Sequence, residues 1–220
     1  MRGPHQDQAV RTAGAPLNHA RGALVMLHGR GATADSILTL VPSLHSPDFA
    51  YLAPQAGGNS WWPQSFLAPI ANNEPGISSA MQAVGDVLAL VAAGGLPPER
   101  TILLGFSQGA CLAAEFAARH ARRYGGVAVL SGGLIGPDGT PRDYAGLLEE
   151  TPVFLGCSDI DSHIPAERVR LSATVLGQLG GTVTMRLFPG MGHTINEEEV
   201  TAVRSMMELG AGSQSLTARS

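Results

Sequence analysis

Thr101-Ile102-Leu103-Leu104-Gly105-Phe106-Ser107-Gln108-Gly109 runs an apolar, partly β-branched segment straight into a Gly-x-Ser-x-Gly pentapeptide, and the alanine-rich stretch Ala110 to Arg119 follows at once. Read outward, this is a strand, a sharp turn and a helix. The pentapeptide alone is a weak signal, because glycine and serine are common; the strand–turn–helix setting makes it specific. Such a turn lifts the serine hydroxyl clear of the sheet and leaves the next backbone N–H, that of Gln108, free to bind an oxyanion. The two glycines suit positions where a side chain would meet neighbouring backbone. A serine hydroxyl is a poor nucleophile until a base stands beside it, so Ser107 predicts a base and an orienting acid elsewhere in the chain. The bland alternative is an ordinary glycine-rich βα turn.

Strand and helix signals alternate around this centre. Ala23 to Leu27 reads as a buried strand that ends in His28-Gly29-Arg30-Gly31, and Thr33 or Asp35 is placed to cap a helix over Ser36 to Leu40. Ala50 to Ala53 is a short strand stopped by Pro54. Apolar residues recur at helical spacing from Ile77 to Ala93, before Gly94-Gly95 and Pro97-Pro98. The helix after the turn runs to about Ala121, and Gly126 to Leu130 and Pro152 to Gly156 are further strands. Ala166 to Leu179 is a helix, Thr182 to Phe188 a β-branched strand, and Asn196 caps a last helix to about Leu209 with three glutamates in its first turn. The pattern predicts one α/β domain over residues 22–209, with a mainly parallel sheet covered by helices on both faces. Residues 1–21 read as an N-terminal arm, partly flexible, and 210–220 as a flexible, low-complexity tail.

Composition narrows the chemistry. The chain has 220 residues with 44% hydrophobic and 15% charged, enough for one sizeable core. Its net charge of −4 gives no electrostatic case for nucleic acid or an anionic membrane. All 14 basic residues are Arg, which excludes Schiff-base lysine chemistry and a Walker-type phosphate loop. Two cysteines, Cys111 and Cys157, are too few for a disulfide framework, and Cys111, one helical turn past Ser107, reads as a packing residue. The start of the chain has no apolar stretch of the signal-peptide kind, and no apolar run approaches the length of a membrane span. A cytoplasmic location without membrane insertion is the expectation, and a homodimer is left open. The seven histidines show no metal-ligand spacing, so neither a metal nor another cofactor is expected.

A parallel α/β sheet presents ligands at the carboxyl ends of its strands. Three such loops carry Ser107, then Asp159 or Asp161, then His193. This Ser…Asp…His order is that of α/β-hydrolases. The base takes the serine proton and later returns it to the leaving group, while a carboxylate fixes the imidazole tautomer. His193 is favoured as base over His163, which adjoins the acidic loop, because the expected order places the base last. His28 reads as a hydrogen-bond partner ordering its own loop; His5, His19, His45 and His120 read as solvated. Spacing alone leaves Asp159 and Asp161 open. A second oxyanion donor is expected from the loop after the early strand, where the Arg30 N–H is the candidate beside that of Gln108. The irregular stretch 55–74 concentrates Trp61, Trp62 and Phe66 and reads as the wall of an acyl or alcohol pocket; Ile164 and Met191 flank the proposed acid and base and are candidates for the same pocket.

Leu27-His28-Gly29-Arg30-Gly31, Leu52-Ala53-Pro54-Gln55, Gly105-Phe106-Ser107-Gln108-Gly109, Ser158-Asp159-Ile160-Asp161-Ser162-His163-Ile164-Pro165 and Gly192-His193 together resemble the phospholipase/carboxylesterase family, the α/β-hydrolases that include acyl-protein thioesterases and small bacterial carboxylesterases. The resemblance spans roughly residues 22–209. It implies the α/β-hydrolase fold without a large lid domain, and assigns the acid to Asp161, the second aspartate of the family's D-x-D-x-x-(I/V)-P pattern. It implies Ser107 and His193 as nucleophile and base, and supports Arg30 and Gln108 as oxyanion donors. Acyl-protein thioesterases usually carry Leu at the Arg30 position and Trp-Phe-Asp where this chain has Trp61-Trp62-Pro63; Arg30 with Phe66-Leu67-Ala68-Pro69-Ile70 and Asn73-Glu74-Pro75 looks like the bacterial esterase branch. The expected activity is cofactor-free hydrolysis of small to medium carboxylic esters through an acyl-enzyme, with a small-molecule ester as partner. Thioester or lysophospholipid hydrolysis on longer acyl chains is the alternative, and a non-catalytic binding protein on the same fold is the rival from another class.

Overall fold

The computed structural model describes residues 3–211. Its strands are β1 (Val10–Gly14), β2 (Gly22–Leu27), β3 (Phe49–Pro54), β4 (Thr101–Phe106), β5 (Gly126–Leu130), β6 (Pro152–Ser158) and β7 (Thr182–Phe188). The helices are α1 (Ala34–Leu38), α2 (Val41–Leu44), α3 (Gly76–Ala93), α4 (Gln108–Arg119), α5 (Ala166–Gln178) and α6 (Glu197–Ala211). The strands form one sheet in the order β1-β3-β2-β4-β5-β6-β7, parallel throughout except for β1, which runs antiparallel to β3. From β2 the chain moves to β3 on one side and then to β4 on the other. The order therefore reverses between β2 and β4, and the crevice outside their carboxyl ends is where an open α/β sheet binds ligands.

Every residue of β2 is buried, as are the first five of β4 and all of β5, because helices cover both faces. Alternation along β2 divides the core. Ala23, Val25 and Leu27 join the larger cluster with apolar residues of α3, α4 and α5. Leu24 and Met26 face the other way, toward Ala34, Ile37 and Leu44 of the short helices and Val200, Val203 and Met207 of α6. Thr33, not Asp35, caps α1: its side chain accepts from the Ser36 N–H while Ser36 bonds back.

Two expectations are corrected. The described part of the N-terminal segment is built into the fold: β1 extends the sheet, and His5, expected to be solvated, is buried. Its ring lies between the Trp61 carbonyl at 2.9 Å and the Gly57 N–H at 3.0 Å, and burial lowers its pKa. An antiparallel edge strand leaves little hydrophobic trace in a short, polar segment. The second concerns α3, which by length and composition alone is apolar enough to cross a membrane. Ile77, Ala80, Val84, Val87 and Val91 bury one face in the core, so its apolar character reflects packing on the sheet. The tail expected from Gly210 begins inside α6, and its residues 212–220 lie outside the described residues.

The polar excursion 134–150 is anchored from below. Glu115 of α4, 1% exposed, accepts from Arg119, from the Ile135 N–H at 2.9 Å and from Tyr144. Buried Arg168 of α5 donates to the Leu134 and Gly136 carbonyls and to Asp138.

At the start of α6, Asn196 and Glu199 cap the helix reciprocally. The Asn196 side chain accepts from the Glu199 N–H, and the Glu199 carboxylate accepts from the Asn196 N–H, both at 2.9 Å. Glu199 is fully buried, its other oxygen has no partner, and burial pushes its pKa up to about 7. A carboxyl whose folded pKa lies above its unfolded value stabilises the fold fully below the unfolded value of 4.5, and that contribution is lost as pH rises through about 7. The loss amounts to up to about 3 kcal/mol. Glu199→Gln cannot ionise. Its melting temperature, followed by calorimetry from pH 5 to 8, should therefore fall less, or rise more, than that of the wild type.

Candidate active site

The turn after β4 places Ser107 at φ 56°, ψ −120°, a left-handed conformation that a non-glycine residue rarely adopts. A Cβ at Gly105 would collide with the Gly109 carbonyl, and one at Gly109 with the Leu27 carbonyl at the end of β2. The two glycines thus let α4 start against the β2 loop. Ser107 N–H donates to the Leu130 carbonyl of β5, and the Ser107 carbonyl accepts from Ala110 and Cys111 as α4 begins.

The loop after β7 brings His193 to the serine: Nε2 lies 2.9 Å from Ser107 Oγ, and Nδ1 lies 2.7 Å from Asp161 Oδ2. With Asp161 ionised, Nδ1 carries the hydrogen and Nε2 is left to accept from the hydroxyl. The other Asp161 oxygen accepts from the His163 N–H at 2.8 Å and the Ile164 N–H at 3.1 Å. Burial pushes this carboxyl up. The His193 hydrogen bond, the two backbone donors and the charge of a protonated His193 outweigh it, so the pKa lies below the usual value. Ser107, His193 and Asp161 are thus one hydrogen-bonded chain, and of the two aspartates left open by spacing, Asp161 touches the imidazole. Asp159 braces the loop instead. It accepts from the Gly190 N–H at 2.8 Å, while Ser158 Oγ accepts from Gly192, so β6 holds the segment that carries His193.

The Arg30 and Gln108 backbone N–H groups have no acceptor among the described residues and lie on either side of Ser107, one in the loop after β2 and one at the first residue of α4. Both side chains tie down the stretch opposite. Gln108 accepts from the Trp61 N–H and donates to the Trp62 carbonyl, both at 2.9 Å. The Arg30 guanidinium donates to Ser60 Oγ at 3.1 Å and to the carbonyls of Pro63, at 2.9 Å, and Gln64. This clamp is invisible to sequence reading, because the partners are mostly main-chain atoms 30 or more residues away. His28 orders its loop as expected: Nε2 accepts from the Ala56 N–H at 3.1 Å, which leaves the hydrogen on Nδ1 to bond the Gly29 carbonyl at 2.8 Å.

A cavity of about 550 Å³ opens beside Ser107 and His193. Trp62, Phe66 and Ile164 line it as expected, together with Arg30, Cys111 and His163. Trp61 and Met191, both predicted to line the pocket, do not. Trp61 is fully buried, with its ring near those of His5 and His28 and its Nε1–H donating to the His28 carbonyl at 2.9 Å, so it supports the loop carrying Arg30 from behind. The Met191 sulfur accepts from the Asn196 side chain and packs toward α6. His163, considered only as a rival base, lies edge-on to the His193 ring with centroids 4.8 Å apart. Burial pushes the Cys111 thiol up to about 12, which leaves it a neutral packing group. Among the described residues no group of His, Cys, Asp and Glu has the arrangement of a metal site.

Over residues 11–210 the chain matches the Phospholipase/Carboxylesterase family. The chain belongs to this family. The solved structure of a phospholipase/carboxylesterase from Dyadobacter fermentans superposes with a TM-score of 0.89 at 40% identity, covering 94% of this chain and 100% of that one. A protein of Arabidopsis thaliana named "Probable carboxylesterase SOBER1-like" is 28% identical over 206 residues, 86% of this chain and 79% of the relative. An "Acyl-protein thioesterase 1" of Gibberella zeae is 32% identical over 119 residues, 51% of this chain and 49% of the relative. In this family member, the geometry makes Gly109 intolerant of any side chain. Gly109→Ala has to displace the β2 carbonyl end, and the loss should reach about 3 kcal/mol, read as a fall in the urea midpoint at unchanged m-value.

Proposed function

We propose that this carboxylic-ester hydrolase works through Ser107 as nucleophile, His193 as general base and then acid, and Asp161 as the orienting carboxylate. The observation that carries the reading is the hydrogen-bonded chain, 2.9 Å from serine to imidazole and 2.7 Å from imidazole to carboxylate. His193 Nε2 takes the hydroxyl proton as Oγ attacks the ester carbonyl. The new oxyanion is received by the unspent N–H groups of Arg30 and Gln108, donors whose value is greatest where charge develops in the transition state. Imidazolium then protonates the leaving alcohol, and water, activated by the same base, releases the acid and restores the serine. The anionic Asp161 favours the imidazolium formed on the way.

A cavity of about 550 Å³ with Trp62, Phe66 and Ile164 in its wall suits a small to medium ester. A second reading, hydrolysis of longer acyl thioesters, draws support from the relative named as an acyl-protein thioesterase. A chain-length series of p-nitrophenyl esters and acyl thioesters separates the two. Highest kcat/KM at short to medium length is expected, whereas a preference for acyl chains of about eight carbons or more supports the second.

Ser107→Ala should lower kcat on p-nitrophenyl butyrate by at least about 10³-fold and abolish labelling by a fluorophosphonate probe. Wild-type turnover equal to that of the variant sinks the proposal. Asp161→Asn, which keeps the shape but disturbs the imidazole tautomer, should cost kcat about 10³- to 10⁴-fold with KM little changed.

A further inference from the structure

We propose that the ester this cavity receives carries a carboxylate, and that the Arg30 side chain binds it. The inference rests on the reading of Ser107 as nucleophile and adds the substrate's charge. Arg30 lines the same cavity as Ser107 and His193, and no residue of that lining is acidic. Asp161 stands behind His193, with its side chain fully buried. Arg30 enters no ion pair among the described residues; its three acceptors, Ser60 Oγ and the Pro63 and Gln64 carbonyls, are all neutral. The guanidinium is thus held in place, and Arg30, an exposed residue, carries its charge with no carboxylate partner among the described residues. Burial lowers its pKa with no carboxylate to offset the effect.

The donor count points the same way. A guanidinium has five N–H groups. Two on Nη1 and one on Nη2 are spent, which leaves one each on the neighbouring nitrogens Nε and Nη2, a spacing that a carboxylate accepts with both oxygens. Three further N–H groups of this wall are unspent: those of the Arg30 and Gln108 backbone and the indole of Trp62. A guanidinium needed only to clamp the loop has no use for a cavity free of acids. A neutral ester leaves this cation to solvent alone, whereas an acidic one gives it a charged partner that two N–H groups can bind at once.

The test uses two pairs of esters matched in size. One pair is the p-nitrophenyl monoester of adipic acid and its methyl-capped diester, read by nitrophenolate release. The other is 4-acetoxyphenylacetate and its methyl ester, which moves the charge to the alcohol side. In at least one pair the anionic member should be preferred by about tenfold or more in kcat/KM, as for a hydrogen bond to a charged group. That preference should shrink at 1 M salt, be lost in Arg30→Gln and survive in part in Arg30→Lys. Wild-type protein that turns over the neutral members at least as fast in both pairs overturns this inference alone. So does a preference that persists in Arg30→Gln or, should that variant not fold, one that is independent of salt. Failure to hydrolyse any of the four esters, with Ser107 unlabelled by a fluorophosphonate, overturns the hydrolase mechanism and this inference together.

Discussion

The turn at Ser107 exists because no side chain stands at Gly105 or Gly109. With hydrogen at those two positions, the first turn of α4 closes against the end of β2, and the loop carrying Arg30 lies beside the serine. A left-handed serine stores strain of about 1–3 kcal/mol, held in place by the surrounding sheet and helix. The bonds from Ser107 to Leu130 and from Ala110 and Cys111 back to Ser107 hold the turn on both sides. The strand order reverses at this same place, so the crevice between β2 and β4 and the exposed hydroxyl coincide.

From that point the site is assembled by loops that brace one another. The loop after β6 supplies Asp161 and, through Asp159 together with Ser158 at the strand end, also fastens the glycine-rich loop that presents His193. The two residues proposed to offer oxyanion N–H groups use their side chains to hold the pocket wall at 60–64. Behind that wall, Trp61 bridges His28 and the N-terminal His5, so His5 supports the loop carrying Arg30 at two removes. A change at Ser158, Asp159, Trp61 or His5 acts on the geometry around Ser107 from behind the cavity wall. Arg30 differs from these in lining the cavity with two guanidinium N–H groups unspent and no carboxylate partner among the described residues.

Much of this is legible in the residues alone. Among the described residues there are seven strands; the inner parallel ones are readable from apolar runs because a strand buried on both faces has a continuous hydrophobic signature, and β7, an exposed edge strand, is readable from its β-branched residues. β1 escapes such a reading because an edge strand of five residues, Val10–Gly14, is only half buried and shows no such run. The members of the hydrogen-bonded chain are legible because loop order along the sheet edge is a property of topology. Trp61 is misplaced by sequence reasoning because aromatic residues adjacent in sequence can face opposite ways, Trp62 toward the cavity and Trp61 into the core. Met191 adjoins a glycine on each side, and its side chain turns toward Asn196 and away from the pocket.

The sequence by itself determined the fold class, the strand–turn–helix around Ser107, and His193 as its partner. Period, glycine placement and loop order are local or topological quantities written directly in residue types. Resemblance to a known family was needed to prefer Asp161, and the tertiary structure showed which carboxylate meets the imidazole, since two residues of separation in a loop reverse where a side chain points. Only the tertiary structure decided that the N-terminal segment belongs to the sheet, that the Arg30 side chain clamps the pocket wall, and that Arg30 lines a cavity without acids. Those facts depend on contacts between residues some 30 to 70 positions apart, which no local pattern records.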